Sequence, residues 1–197
     1  HLKIATTLNI AAGSKIDVSG KGLAGAAAGT GSVGTSGGGS HGGSGGGSTN
    51  LVSGRYDQPT LGGSAGSGGA RGGGVVRIDL GPTGQAVIDG DVLANGTGST
   101  CCSEYSSCCT TGAGAGGSIW ITADRLSGTG SIQAIGGTAT ARGSGGGGRI
   151  AIDGLDPEIG LQGDFAGSAF YANVIARGGT GPYPGGAGTI FVKTKDQ

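Results

Sequence analysis

The chain has 197 residues, with 12 basic and 12 acidic side chains and therefore no net formal charge. The chain therefore lacks the surplus of basic side chains that is typical of nucleic-acid-binding proteins. No apolar run is long enough to span a membrane. Glycine is the outlier with 52 residues, but proline counts only 5 and glycine is not spaced every third residue, which excludes collagen. Because hydrophobic residues recur in ordered patterns between the glycine runs, we predict a folded chain and not a disordered linker.

The first 20 residues read as an incomplete structural unit. Residues 2–10 alternate apolar and polar side chains, and the run KIDVSG places Ile16 and Val18 on one face of a strand. Residues 21–71 then form a long glycine-rich loop. His41 lies in this loop without the further residues that a catalytic triad requires, so we predict no catalytic role for it.

Three repeat units follow, at residues 72–113, 114–144 and 145–184, and a terminal strand closes the chain at 185–197. Each unit begins with a glycine run that leads into a strand and ends with a strand that leads back into glycine. Glycine also interrupts every candidate helix. The aligned β-branched positions are Val76, Ile119, Ile150 and Ile190 in the first strand, and Ile16, Val92, Ile132 and Val174 in the second.

A period of about 40 residues is typical of solenoids and propellers. A propeller blade needs four strands, whereas each unit here has two convincing ones. We therefore predict an all-β fold, a parallel β-helix or β-solenoid with long glycine-rich loops and no significant helix, formed by residues 1–197 as a single elongated domain. Neither end carries an obvious capping helix, and an uncovered strand edge recruits another chain, so we expect copies of the chain to assemble end to end.

Four cysteines lie in an insert at residues 100–111, within the first repeat unit. An even number of cysteines in a small secreted β protein predicts two disulfides. A thiolate metal site fits poorly, because zinc ligands within a pair are usually separated by two to four residues. Nested and crossed pairings are both compatible with the residues concerned, which are Cys101, Cys102, Cys108 and Cys109.

Other polar residues predict a modification and raise the possibility of a bound ion. Asn95 begins an Asn-Gly-Thr triplet, a glycosylation acceptor, where a predicted strand ends. We expect no cofactor. Four aspartates offer oxygen ligands for structural Ca²⁺, but they follow no known calcium-binding pattern, and turn formation explains them better; they are Asp89, Asp91, Asp153 and Asp156.

One lateral face of the predicted fold is a candidate binding surface. Arg77 and Arg149 occupy outward positions in equivalent strands, and Trp120 and Phe191 occupy this position in the other copies. Charged and aromatic residues that alternate in this way are typical of an outer sheet face and not of a tuned acid–base site. The aromatic rings could stack on sugars or on a neighbouring copy.

The chain also resembles a known family. The segments GGSIWITADRLSGTGSIQAIGG (116–137) and GGGGRIAI (145–152), with GGGVVRI and IDGDVLANG before them, look like the glycine-rich β-solenoid repeat of large secreted and cell-surface proteins, in the pectin-lyase-like class. The resemblance implies a non-enzymatic structural or adhesive module outside the cell, such as a subunit or repeat of a surface fibre, with surface glycans as further partners. The alternative function is a carbohydrate-binding or polysaccharide-cleaving β-helix protein.

Overall fold

The structure is a computed structural model that describes residues 1–24, 37–49, 51–99 and 111–195. Within these ranges most regular structure is β-strand. The only α-helix among the described residues, α1 (Phe170–Asn173), is four residues long and follows two short 3₁₀ turns. The strands are β1 (Leu2–Ile4), β2 (Thr7–Ile10), β3 (Lys15–Asp17), β4 (Val75–Leu80), β5 (Gln85–Ile88), β6 (Asp91–Leu93), β7 (Ser118–Thr122), β8 (Arg125–Ser127), β9 (Ser131–Gln133), β10 (Arg149–Leu155), β11 (Val174–Ile175) and β12 (Thr189–Thr194).

These strands form three small sheets in which every pairing is parallel. The five-stranded sheet has the order β1-β4-β7-β10-β12, the four-stranded sheet β11-β9-β6-β3, and the three-stranded sheet β2-β5-β8. Consecutive strands therefore belong to different sheets, and each strand pairs with the strand of the preceding or following unit. The register aligns the residues that the repeat analysis had matched, since Val76 pairs with Ile119 and Val92 pairs with Ile132.

The hydrophobic core lies between the sheets and consists of columns of like residues. In the five-stranded sheet, Ile78, Ile121 and Ile152 occupy matching positions and are fully buried. Alternation along each strand produces this burial, as in β4, where every second side chain is buried. Phe165, in the first 3₁₀ turn, and Phe170, at the start of α1, also join the core, so the helical segment covers one end of it.

The predicted fold class is wrong and needs correction. The strands do not form the continuous solenoid that was predicted but three separate, open, parallel sheets, an arrangement of strands otherwise typical of α/β proteins. The glycine-rich segments are also not loops between coils. They are largely buried and pack side by side, so that a second compact region lies beside the sheets.

We call this second region the glycine bundle. The segment 112–117 shows how it is built, because its N–H groups donate in a cycle of three to the segments 62–74, 143–148 and 94–98. The bonds are Gly112 to Ser67, Ala113 to Gly143, Gly114 to Thr97, Ala115 to Ser64, Gly116 to Gly146, and Gly117 to Ala94, all 2.7–2.9 Å long. A repeat of three residues per turn is the geometry of the polyproline II helix, which has no internal hydrogen bonds and here bonds laterally instead.

Glycine is required in the bundle because the segments approach each other at backbone distance. A Cβ atom on Gly145 would overlap the carbonyl oxygen of Gly114, and one on Gly114 would overlap the carbonyl of Arg71. The segments 37–46, 134–139, 176–181 and 185–188 complete the bundle through the same kind of contact. The high glycine content is therefore a packing requirement.

Candidate functional site

The outer face of the five-stranded sheet carries a group of charged and aromatic side chains. Its central row pairs Arg77, Trp120, Ala151 and Phe191 in register. The guanidinium of Arg77 lies 4.0 Å from the centroid of the Trp120 ring, and it also forms an ion pair with Asp79 at 3.0 Å. Trp120 is only 8% exposed, so the ring is a packing element of this face.

Arg149, the other arginine of the predicted binding face, lies in the neighbouring row. It pairs in register with Ser118 and Thr189, not with Trp120. Its side chain is buried, and no carboxylate in the described ranges forms an ion pair with it. Its Nε donates to the Ser53 carbonyl at 2.9 Å and its Nη1 to the Thr189 hydroxyl at 3.1 Å. Burial lowers the pKa of Arg149.

Residues 51–61 cross this outer face, and we call them the strap. The Ser53 carbonyl accepts the bond from Arg149, and the Leu61 carbonyl accepts a 2.6 Å bond from the Ser118 hydroxyl. Tyr56 packs edge-on against Phe191, with ring centroids 5.4 Å apart. The strap was not predicted, because its sequence has neither apolar periodicity nor a repeat partner.

His41 fixes the strap from below and is fully buried. Its Nε2 lies 2.9 Å from the Ser118 hydroxyl and its Nδ1 3.3 Å from the Ser53 hydroxyl. Since Ser118 uses its proton for the Leu61 carbonyl, His41 donates from Nε2 and accepts at Nδ1. Burial and the nearby Arg149 lower the pKa of His41 to about 4. A histidine that donates to the serine cannot activate it as a general base, so this pair is structural.

A cleft of about 250 Å³ opens at one edge of the same face. It forms where β10 contains a bulge, since the register with β12 shifts between Ile152 and Leu155, and Gly154 adopts a φ of +74°. Bulges redirect side chains and are frequent beside functional sites. The residues that line the cleft are Thr122, Asp153, Gly154, Lys193, Thr194 and Lys195.

Asp153 is the central residue of this cleft. Its Oδ2 accepts a 3.2 Å bond from the Trp120 indole, whereas its Oδ1 is buried and has no partner among the described residues. Lys195 forms an ion pair with the buried Asp124 and donates to the Pro82 carbonyl at 3.0 Å. No described residue bonds to the ammonium group of Lys193. Within the part of the chain that the structure describes, the cleft thus contains an acceptor without a donor, Asp153 Oδ1, and a donor without an acceptor, the Lys193 ammonium group.

Both ends of the five- and four-stranded sheets are open edges, whereas β8, the last strand of the three-stranded sheet, is bonded to residues 160–162. β1, β2 and β3 form the edge strands at the first end, with Leu2 44% exposed. β12 and β11 lie at the last end, where Ile190 and Val192 are 38% and 37% exposed. A mainly apolar groove of about 280 Å³ also lies at this end, lined by Val174, Ile175, Ala176, Arg177, Ala187, Gly188 and Ile190.

The sequence also predicts a glycosylation site, turn-forming aspartates and disulfides. Asn95 is half-buried, and its amide oxygen accepts a 2.8 Å bond from the Ile135 N–H, so its glycosylation remains a prediction. Asp156 bonds the N–H groups of Glu158 and Ile159 at 3.0 Å, as expected for a turn. No group of three potential metal ligands occurs in the described part of the chain. The predicted disulfide residues Cys101, Cys102, Cys108 and Cys109 lie outside the described residues.

Comparison with known proteins identifies no relative. No family model matches the chain, and no curated protein and no solved structure is similar to it. The resemblance to glycine-rich surface repeats therefore remains a prediction. None of the helices that the structure describes is long and apolar enough to cross a membrane.

Proposed function

We propose that the chain is a non-enzymatic structural module of an extracellular fibre and that its copies assemble end to end. The observation that supports this best is a correspondence between the two ends. All pairings are parallel, and the five- and four-stranded sheets end in edge strands at both ends, so a second copy stacked in the same orientation would continue these two sheets, whereas β8 is already bonded to residues 160–162. The extracellular location is also part of the proposal, and its basis is the expected disulfides in the insert at 100–111.

The core columns match across such a junction. In the five-stranded sheet Leu2 belongs to the same column as Val192, through Ile78, Ile121 and Ile152. In the four-stranded sheet Ile16 and Val174 share a column. In the three-stranded sheet Leu8 shares a column with Leu161, which bridges to Leu126. Each end would therefore place apolar residues on apolar residues along all three columns.

The charges at the junction oppose this association. Lys3 follows Leu2, and Lys193 follows Val192, so the same register places two ammonium groups on neighbouring strands. Strands lie about 4.8 Å apart, and like charges directly opposite each other are destabilising. Assembly should therefore be stronger at high salt, which screens this repulsion. Lysines on exposed edges are also a known means of limiting uncontrolled edge pairing.

Electron microscopy and sedimentation velocity over a range of concentrations test the proposal. The unmodified chain should form rods that lengthen with concentration and with salt. Val192→Lys adds a charge to an apolar column at the last end and should leave single particles. Val75→Lys is the matched control, because Val75 is equally exposed at 37% but lies on the outer face of β4. Single particles of the unmodified chain under all conditions, or assembly of Val192→Lys, would refute end-to-end assembly.

A further inference from the structure

We propose that the cleft at the β10 bulge binds the vicinal hydroxyl groups of a neutral saccharide. This inference does not depend on end-to-end assembly. It rests on Asp153, whose Oδ1 is buried without a donor while its Oδ2 is held by the Trp120 indole. A buried polar atom without a partner is costly, and a hydroxyl group that donates to it would remove this cost.

The polar groups around Asp153 select the ligand class. A free metal ion is disfavoured by the ammonium groups of Lys193 and Lys195, and a simple anion by the carboxylate of Asp153. Lys195 is already neutralised by Asp124, so Asp153 and Lys193 remain as one negative and one positive group. A hydroxyl group both donates and accepts, so a pair of adjacent hydroxyls can donate to Asp153 and accept from Lys193 at the same time.

The size and the walls of the cleft agree with one sugar ring. A volume of about 250 Å³ is slightly below the range of about 300–1,000 Å³ that is usual for drug-sized ligands. Thr122 and Thr194 line the cleft with further hydroxyl groups, which can either donate or accept. A single ring in an open cleft should bind with a dissociation constant on the order of a millimolar.

Trp120 provides a direct measurement, because it is the only tryptophan in the chain and its indole bonds to Asp153. The chain is titrated with the neutral tetrasaccharide cellotetraose at concentrations where sedimentation shows single particles. We expect a saturable change in tryptophan emission. Tetragalacturonate, an acidic tetrasaccharide, is titrated in parallel at low and high salt. We expect it to bind no more tightly than the neutral sugar.

Two variants assign the site. Asp153→Asn keeps an acceptor for Trp120 but loses the charged acceptor, and should weaken binding about tenfold or more. Lys193→Gln should weaken it several-fold, and its edge position makes misfolding of this variant a small concern. Lys3→Gln, on the same face at the opposite edge of the sheet, should leave binding unchanged. The proposal is overturned if cellotetraose gives no saturable change, if only tetragalacturonate binds and salt abolishes it, or if Lys193→Gln binds like the unmodified chain.

Discussion

The guanidinium of Arg77 stacks over the indole of Trp120 at 4.0 Å, and this contact joins the neighbouring strands β4 and β7 on the outer face of the five-stranded sheet. Arg77 is further held by Asp79, which His1 also contacts at 2.6 Å. The guanidinium of Arg77 thus covers the Trp120 ring, and the indole N–H of this ring orients Asp153 in the cleft.

We predict that this stacking stabilises the fold measurably. Cation–π pairs contribute about 0.5–2 kcal/mol depending on desolvation, and Trp120 is buried. A double-mutant cycle with Arg77→Ala and Trp120→Leu, followed by urea unfolding, should give a coupling free energy of about 1 kcal/mol. Lys3→Ala in place of Arg77→Ala should show no coupling to Trp120→Leu. Additive effects of the Arg77 and Trp120 changes would contradict the prediction.

The buried His41 should make stability depend on pH. Its pKa is about 4 in the folded chain and about 6.5 when unfolded, so the unfolded chain binds more protons between these values. The contribution of the neutral His41 to the free energy of unfolding is therefore complete above pH 6.5. It is lost as the pH drops towards 4, by up to about 3 kcal/mol. Urea unfolding at pH 7, 6 and 5 measures this loss.

The control for this experiment is the second histidine. His41→Gln should remove most of the slope between pH 6.5 and 5, whereas His1→Gln at the exposed first residue should retain it. If His1→Gln flattens the profile and His41→Gln does not, the terminal histidine is responsible instead.

The glycine bundle predicts a large difference between two glycine-to-alanine changes. A Cβ on Gly145 overlaps the backbone of Gly114, which cannot move without disturbing several segments. A Cβ on Gly186 would lie 3.1 Å from the Ser44 hydroxyl, which can rotate away, and 3.3 Å from the Ser44 nitrogen, which needs to shift by only a few tenths of an ångström. We expect Gly145→Ala to cost about 3 kcal/mol and Gly186→Ala about 1 kcal/mol or less. Equal costs in urea unfolding would show that backbone packing does not explain the glycine content.

Arg149 should hold the strap against the sheet and so protect it from proteolysis. Arg149→Ala removes the bonds to Ser53 and Thr189, and hydrogen bonds of charged groups contribute about 1.5–3 kcal/mol. The strap should then open more often, and trypsin should cut at the exposed Arg55 about tenfold faster or more. Arg177→Ala, an exposed arginine outside this face, is the control. Unchanged cleavage at Arg55 would mean that Tyr56 and Ser118 hold the strap without Arg149.

The first and last strands of each unit could be predicted because β-branched residues recur at matching places, as Val92 and Ile132 do in register, but the prediction of two strands per unit was wrong, since it missed the middle strands β5 and β8. The glycine bundle could not, since its hydrogen bonds join segments far apart in sequence and glycine runs have no side-chain pattern. Arg149 was placed in the wrong row although the sequence could have prevented this: when Ile150 is aligned with Ile119, Arg149 matches Ser118 and not Trp120. In the cleft, only Gly154 marks the bulge, and nothing local indicates that Asp153 lies against Trp120.

The lateral bonding of the glycine segments also has a consequence for when the protein can fold. The Gly186 N–H bonds to the Ser44 carbonyl across about 140 residues of chain, and the Gly43 N–H bonds to Gly147. A chain delivered from its first residue, by a ribosome or through a secretion pore, holds the segment 37–46 without these partners until residues 147–186 emerge. Folding is then a late event that involves the whole chain, and truncation between repeats would leave a product that cannot complete its bundle.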